Sequence, residues 1–284
     1  MKDLINDITA RLLVCYPDDE ARALAWWIAE ELTGLNRTEL QFGCKDTTNF
    51  PHLQEKLPEI ITRLLHFEPI QYIFGHTLWN GLDLKLSPAT LIPRPETAEL
   101  TERINLRVRN DEYPTASLLD IGTGSGCIAI SLKKAHPAWR VSGIDISPEA
   151  IAISRENALK NKVDVNFQVA DIFSEETVNE ILSDGRCYDV IVSNPPYICE
   201  SEKTSMKPNV LDYEPASALF VPDDDPLRFY RRICSLHIGK YIFFEINEGF
   251  AEEMKELLEK EKYTDIQITN DLYGKARIIE GRMA

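Results

Sequence analysis

The sequence predicts an α/β protein, a mostly parallel sheet covered by helices on both faces, with a small helical bundle and a β-hairpin linker in front of it. Three observations lead there. After residue 96 short apolar runs alternate with helix-period segments, as βαβ units do. Those runs are rich in Val and Ile and lack a polar face, which suits strands buried on both sides. Before residue 75 apolar residues recur only at helical spacing.

In chain order, residues 1–75 read as the helical bundle. Ile5, Ile8 and Leu12 form one face, Ala21, Leu24, Ala25, Ile28 and Leu32 a second, and Leu53, Leu57, Ile60, Ile61 and Leu64 a third. Pro17-Asp18-Asp19, Gly34 and Phe50-Pro51 punctuate them as turn or cap signals. Residues 76–95 switch to short alternating runs, LWNGLDLKLS and then TLIP, and Asn80-Gly81 is a pair typical of a tight hairpin. From 96 to 284 the expected strands are SLLDIG, VSGIDI, VNFQVAD, YDVIVSN, YIFFEI, DIQIT and ARIIEG. Helices should open near Glu96, Gly126, Pro148, Ser174, Asp225 and Glu248. The last two strands are joined only by Asp271-Leu272-Tyr273-Gly274-Lys275 and should pair as an antiparallel hairpin.

Composition narrows the function classes. The 284 residues are 44% hydrophobic and 27% charged, which excludes disorder as the main character. The 31 Lys and Arg against 46 Asp and Glu leave a net charge of −15, so the average field repels phosphate backbones and anionic membranes. The 6 cysteines, Cys15, Cys44, Cys127, Cys187, Cys199 and Cys234, form no CxxC pair and read as structural thiols in a reducing cytosol, with no metal site expected. The opening MKDLINDITARLL lacks the basic and apolar regions of a signal peptide, and nowhere do about 18 apolar residues run together. A cytoplasmic monomer is expected, with neither a membrane nor free nucleic acid as a partner.

The first strand of the sheet runs into LLDIGTGSGCIAI, which puts Gly122, Thr123, Gly124, Ser125 and Gly126 at a strand-to-helix turn. Glycine there lets backbone N–H groups approach a ligand, and the helix start adds partial positive charge. A plain tight turn would look the same. Asp145 closes the second strand roughly 20 residues on, the spacing at which an acid meets ribose hydroxyls. Asp171, with Ile172, closes the third, where a polar group can meet an adenine amine. An acid at a strand end also caps helices, and Asp145 before Ser147-Pro148 admits that reading. Three consecutive strand ends on one edge of a sheet favour a nucleoside ligand.

Asn194-Pro195-Pro196-Tyr197 follows the strand YDVIVS directly. Two prolines stop a strand, so a turn is the simplest reading. The chemical reading is sharper. Asn194 has a side-chain acceptor, the Pro195 carbonyl is kept out of a ladder, and the two converge on a planar NH₂ group that Tyr197 would stack on.

A G-x-G-x-G turn paired with N-P-P-Y after the fourth strand resembles S-adenosylmethionine-dependent methyltransferases acting on exocyclic or amide nitrogen. Within that group SPATLIPRPETAEL at 87–100, VSNPPYI, Tyr213-Glu214-Pro215 and DLYGKARIIEGR resemble the HemK/PrmC family, which N5-methylates the glutamine of the Gly-Gly-Gln loop in peptide-chain release factors. The likeness is strong from residue 70 onward. Ala98 and Asn247 depart from the family's usual glutamate and glycine. The resemblance implies a Rossmann-like sheet, S-adenosyl-L-methionine as cofactor and a release factor as partner. It implies cofactor contacts at Gly122, Thr123, Gly124, Ser125, Gly126, Asp145, Asp171, Ile172 and Asn194, and a glutamine clamp at Asn194, Pro195, Pro196 and Tyr197. Arg94 and Glu96 should lie near the mouth of the site, or simply form a hairpin-to-helix corner. Residues 1–75 would dock the protein substrate, or merely pack. The alternatives are an N6-adenine methyltransferase acting on nucleic acid, which would need a basic groove, and a non-catalytic adaptor with the same fold.

Overall fold

Burial in the first quarter of the chain follows the helical period. In a computed structural model that describes residues 1–42, 50–109, 112–182 and 187–284, the first helices are α1 (Lys2–Leu12), α2 (Asp18–Thr33), α3 (Arg37–Phe42), α4 (Pro51–Leu65) and α5 (Ile70–Phe74). Three acids occupy the first turn of α2, where the helix dipole favours them, and Gly34 ends it in the left-handed conformation with φ 70°. Asn36 and Glu39 cap α3 reciprocally: the Asn36 side chain accepts from the Glu39 N–H, and the Glu39 carboxylate from the Asn36 N–H. Ile8, Leu12, Ile28, Ile61 and Leu64 interlock as the core of this unit. Residues 1–75 and 207–213 together form it, the second segment carrying the short helix α10 (Pro208–Leu211). Within it the Tyr213 hydroxyl donates to the His66 carbonyl at 2.9 Å.

Residues 76–206 and 214–284 form the second unit. It begins with the hairpin of β1 (His76–Trp79) and β2 (Leu82–Lys85), whose turn takes positive φ at both Asn80 and Gly81, as the pair predicts. The hairpin is packed into this unit. Trp79, Leu82 and Leu84 join the core, and Asn157 bonds both the N–H and the carbonyl of Lys85. Helix α6 (Pro95–Arg107) follows and is pinned by Arg103 on the buried carboxylate of Glu280 at 2.5 Å.

The main sheet contains β3 (Ser117–Ile121), β4 (Arg140–Asp145), β5 (Asn166–Val169), β6 (Tyr188–Ser193), β9 (Gly239–Glu245), β10 (Tyr263–Asn270) and β11 (Ala276–Met283), in the order β10-β11-β9-β6-β3-β4-β5. The first five are parallel, and β11 and β10 close the sheet as the expected antiparallel hairpin. Two-residue strands β7 (Ile198–Cys199) and β8 (Phe220–Val221) pair beside it. Alternate side chains of one strand enter opposite cores: Val190 and Val192 meet helices α6, α7 (Cys127–Ala135) and α8 (Pro148–Lys160), while Ile191 meets α11 (Arg228–Ser235) and α12 (Ala251–Lys260). That explains the strands without a polar face. The edges differ, since β5 buries only Phe167 and leaves Asn166, Gln168 and Val169 exposed.

The chain leaves β3 toward β4 and β5, then returns to lay β6 on the other side of β3. The order reverses between β3 and β6, where loops diverge and leave a crevice at the carboxyl ends of the strands. Among the described residues no helix is long and apolar enough to cross a membrane. Cys15, Cys127, Cys187, Cys199 and Cys234 are free thiols; Cys44 lies outside the described residues.

Candidate active site

A cavity of about 500 Å³ occupies that crevice. Its wall brings together Gly122 to Ser125, Asp145, Asp171, Ile172, Asn194, Pro195 and Pro196. Gly126 sits just behind it as the N-cap of α7. With φ 81° and an added Cβ only 3.0 Å from both Ile130 and Phe167, any side chain at that position is both strained and crowded.

Most N–H groups of this turn are spent on neighbouring backbone and on Asp145. The N–H groups of Gly122 and Thr123 both go to the Ile144 carbonyl at 2.9 Å, that of Gly124 to Asp145 Oδ2 at 2.8 Å, and that of Gly126 to the Thr123 carbonyl. The turn is closed on itself because neighbouring β4 presents its last carbonyl and carboxylate to it. The N–H groups of Ser125 and Cys127 remain without a partner among the described residues, which leaves two unspent donors at the helix start.

Asp145 serves as both an acid at a strand end and a brace. Its Oδ1 accepts the Ser147 N–H at 2.9 Å, while the cap of α8 is Ser147, whose Oγ takes the Ala150 N–H. Each carboxylate oxygen keeps a second lone pair, so hydroxyl donors can still be received. Burial holds its pKa above the ordinary aspartate value. Asp171 uses Oδ1 on the Phe173 N–H and leaves Oδ2 without a partner among the described residues, and Ile172 lies buried beside it. Phe173 and Phe229, in edge contact at 5.2 Å, extend this apolar wall.

Asp120, within the apolar run LLDI, went unmarked in the sequence. It is fully buried, accepts from Thr123 Oγ1 at 2.6 Å and the Ala129 N–H at 3.3 Å, and leaves Oδ1 unpartnered among the described residues. Burial raises its pKa to about 7. A carboxyl inside a strand that otherwise reads as core was the available signal.

The Asn-Pro-Pro-Tyr segment leaves β6 at Ser193. Asn194 Nδ2 lies 3.2 Å from Thr97 Oγ1, and Thr97 donates to Glu245 Oε2 at 2.7 Å. Neither Asn194 Oδ1 nor the Pro195 carbonyl has a partner among the described residues, leaving two acceptors on residues that line the cavity. Tyr197 is placed differently from the expected stacking position: it is outside the cavity lining, packs against the core, and donates its hydroxyl to Glu245 Oε1 at 2.9 Å. Burial and the nearby Glu245 charge push its pKa well up. Glu245 itself is raised by burial and opposed by the Thr97 and Tyr197 hydrogen bonds. Asn247, the departure from glycine, bonds the Tyr197 carbonyl and Glu202. Arg94, at the start of α6, pairs with buried Glu214 at 2.5 Å, and Glu214 also takes the Ile92 N–H. Thr97 and Glu245, 148 residues apart, were the members missed, and Glu214, quoted only within Tyr213-Glu214-Pro215, meets Arg94 from 120 residues away.

Comparison with known proteins agrees over both units. Residues 3–75 match the PrmC N-terminal domain model and 104–211 the methyltransferase small domain model. The release factor glutamine methyltransferase of Bacteroides thetaiotaomicron is 46% identical over 285 residues, covering 97% of this chain and 99% of that one. Those of Flavobacterium psychrophilum, at 43% over 78% of each chain, and Streptococcus pneumoniae, at 34% over 92% and 91%, follow the same pattern. Among solved structures, the fold is similar to the hMettl16 catalytic domain (TM-score 0.56, 14% identity, 72% of this chain and 76% of that one) and to a methyltransferase from Pyrococcus furiosus (0.51, 17%, 80% and 98%).

Proposed function

The chain belongs to the family of release factor glutamine methyltransferases, and from that premise we propose that it transfers a methyl group from S-adenosylmethionine to the side-chain nitrogen N5 of the glutamine in the Gly-Gly-Gln loop of a peptide-chain release factor. The observation that carries this reading is the pair of unpartnered acceptors, Asn194 Oδ1 and the Pro195 carbonyl, on the wall of one cavity with Asp145. A substrate that is part of translation puts the work in the cytoplasm. The net charge of −15 weighs against nucleic acid as the substrate.

The cavity suits the cofactor on its own chemistry. Its volume of about 500 Å³ lies in the range of small-molecule sites. Asp145 retains lone pairs for ribose hydroxyls, the Ser125 and Cys127 N–H groups offer donors to a carboxylate, and Ile172, Phe173 and Phe229 form an apolar wall for a base. When bound, the cofactor supplies an electrophilic methyl group on a sulfonium.

An amide nitrogen is a weak nucleophile because its lone pair is delocalised. Asn194 Oδ1 and the Pro195 carbonyl hold both hydrogens of the glutamine amide, which fixes the nitrogen in the direction of attack. As positive charge grows on that nitrogen, the same two dipoles stabilise it without reorganising. The proton shed afterwards is acidic enough to leave to water, and no histidine lines the cavity among the described residues.

Purified protein incubated with labelled S-adenosylmethionine and a release factor should label the Gly-Gly-Gln glutamine and nothing else in a cell extract. Label on DNA, RNA or a different protein would overturn the reading.

A further inference from the structure

The two ends of the Asn194 side chain are alike in shape and opposite in chemistry. Its oxygen accepts a hydrogen from the substrate amide, whereas its NH₂ would oppose that amide, and shape alone does not choose between them. We propose that Glu245, acting through Thr97, is the positioning pair that fixes this choice and holds the Asn194 carbonyl toward the substrate nitrogen. The proposal rests on the functional reading above and deepens it.

Glu245 ends β9 and is 1% exposed. Its carboxylate receives two hydroxyls, Thr97 Oγ1 at 2.7 Å and Tyr197 OH at 2.9 Å. An ionised carboxylate only accepts, so both hydroxyls must turn their single protons toward it. Burial, the largest effect, holds the Glu245 pKa above the ordinary glutamate value, the two hydroxyls and Arg277 pull it back down, and the relay requires the ionised form that the two hydrogen bonds favour. Thr97 has no second proton to give, so toward Asn194, 3.2 Å away, it can only accept. Asn194 must therefore present Nδ2 to Thr97, and Oδ1 is left for the substrate. The polarity of one buried acid is passed through a hydroxyl to an amide two bonds distant.

The frame around the relay is rigid. Thr97 lies in the first turn of α6 behind Pro95 and is 2% exposed, so its hydroxyl has little room to reorient. Tyr197 closes the opposite side on the same carboxylate, and its backbone carbonyl is held by Asn247. Glu245 does not line the cavity and has no direct part in the reaction. Its role is to have the clamp set before substrate arrives, which spares reorganisation during transfer.

The test uses full-length protein, saturating labelled S-adenosylmethionine and a release factor as methyl acceptor. Thr97→Ser and Thr97→Ala both lose the methyl group and differ only in the hydroxyl. Thr97→Ala should lower kcat about 10- to 100-fold, less than the loss of a group that itself meets the reacting nitrogen, because Thr97 acts only through Asn194. The KM for cofactor should stay within about twofold, since Thr97 is not among the residues assigned to the cofactor. Thr97→Ser should restore kcat to within about threefold of the parent, because it keeps the relay. Glu245→Gln, whose amide can offer either end to Thr97, should fall between the two, with melting curves confirming the fold of each variant. Parental kcat in Thr97→Ala, or an equal loss in the serine and alanine variants, would overturn the relay alone, and parental kcat in Glu245→Gln would remove Glu245 from it. A parent protein inactive on release factors would overturn the functional reading and the relay with it.

Discussion

Alanine at Asn194 removes an acceptor whose value grows as charge develops on the substrate nitrogen, so its loss belongs to turnover. The expected effect on kcat is about 10²–10³-fold with cofactor affinity unchanged, read by steady-state kinetics and titration calorimetry. Asp145→Ala should do the reverse and weaken cofactor binding by about ten- to a hundredfold, because the same carboxylate also holds Gly124 and Ser147 in place. Asp120 makes a different prediction, about stability and pH. Its folded pKa of about 7 lies above the ordinary aspartate value, so between about pH 4 and 7 the folded state holds a proton that the unfolded chain has lost. Stability from this group is therefore lost as pH rises through that window, by an amount on the order of 2–4 kcal/mol, and changes no further above it. Asp120→Asn keeps an acceptor for Thr123 and Ala129 and should flatten that slope, which denaturant unfolding at pH 5 and pH 8 will reveal.

At the scale of elements, the glycine turn gives the sharpest contrast. Gly124 and Gly126 both take positive φ, but an added Cβ at Gly124 meets nothing within 4 Å, while at Gly126 it meets Ile130 and Phe167 at 3.0 Å. Gly124→Ala should therefore cost only backbone strain, about 1–2 kcal/mol, and Gly126→Ala about 1–3 kcal/mol more for the crowding. Chemical denaturation measures both. This turn also marks the limit of what sequence makes legible. The strands, the helix starts and the Asn80-Gly81 hairpin follow from local period and backbone preference, and each lies where its own residues place it. Which N–H groups of the turn face a ligand depends on the carbonyl that β4 presents at Ile144, and no local pattern encodes that. The same holds for Thr97, Asn194 and Glu245, which belong to α6, the loop after β6 and β9 and meet only once the sheet order is set. Tyr197 reads in sequence as a flat face for the substrate amide to stack on, whereas in the fold its hydroxyl bonds the buried carboxylate of Glu245.

On the scale of the whole molecule, the chain passes between its two units three times, after residues 75, 206 and 213. The second excursion is short and leads straight back into the functional wall, since Pro215, Ser217, Ala218 and Phe220 line the cavity. Segment 207–213 is thus a part of the helical unit that is covalently continuous with the site, and Tyr213 anchors it through the His66 carbonyl. The residues that the sequence singles out for the cofactor, Gly122 to Asn194, by contrast all lie after residue 120, although the cavity wall also takes in Ala89 to Leu91, Pro93 and Thr97. If residues 1–75 serve substrate docking, deleting them should leave cofactor binding in place while abolishing most methyl transfer to an intact release factor. The deletion also strips segment 207–213 of its partners, so a modest loss of cofactor affinity, about three- to tenfold, should accompany it through the adjoining wall. Tyr213→Phe in the full-length protein isolates that second effect: it removes one hydrogen bond worth about 1 kcal/mol and should leave docking intact. Calorimetry with cofactor and kinetics with intact release factor separate the two. A truncated protein that methylates the intact factor at the parental rate would show that the helical unit does not dock it.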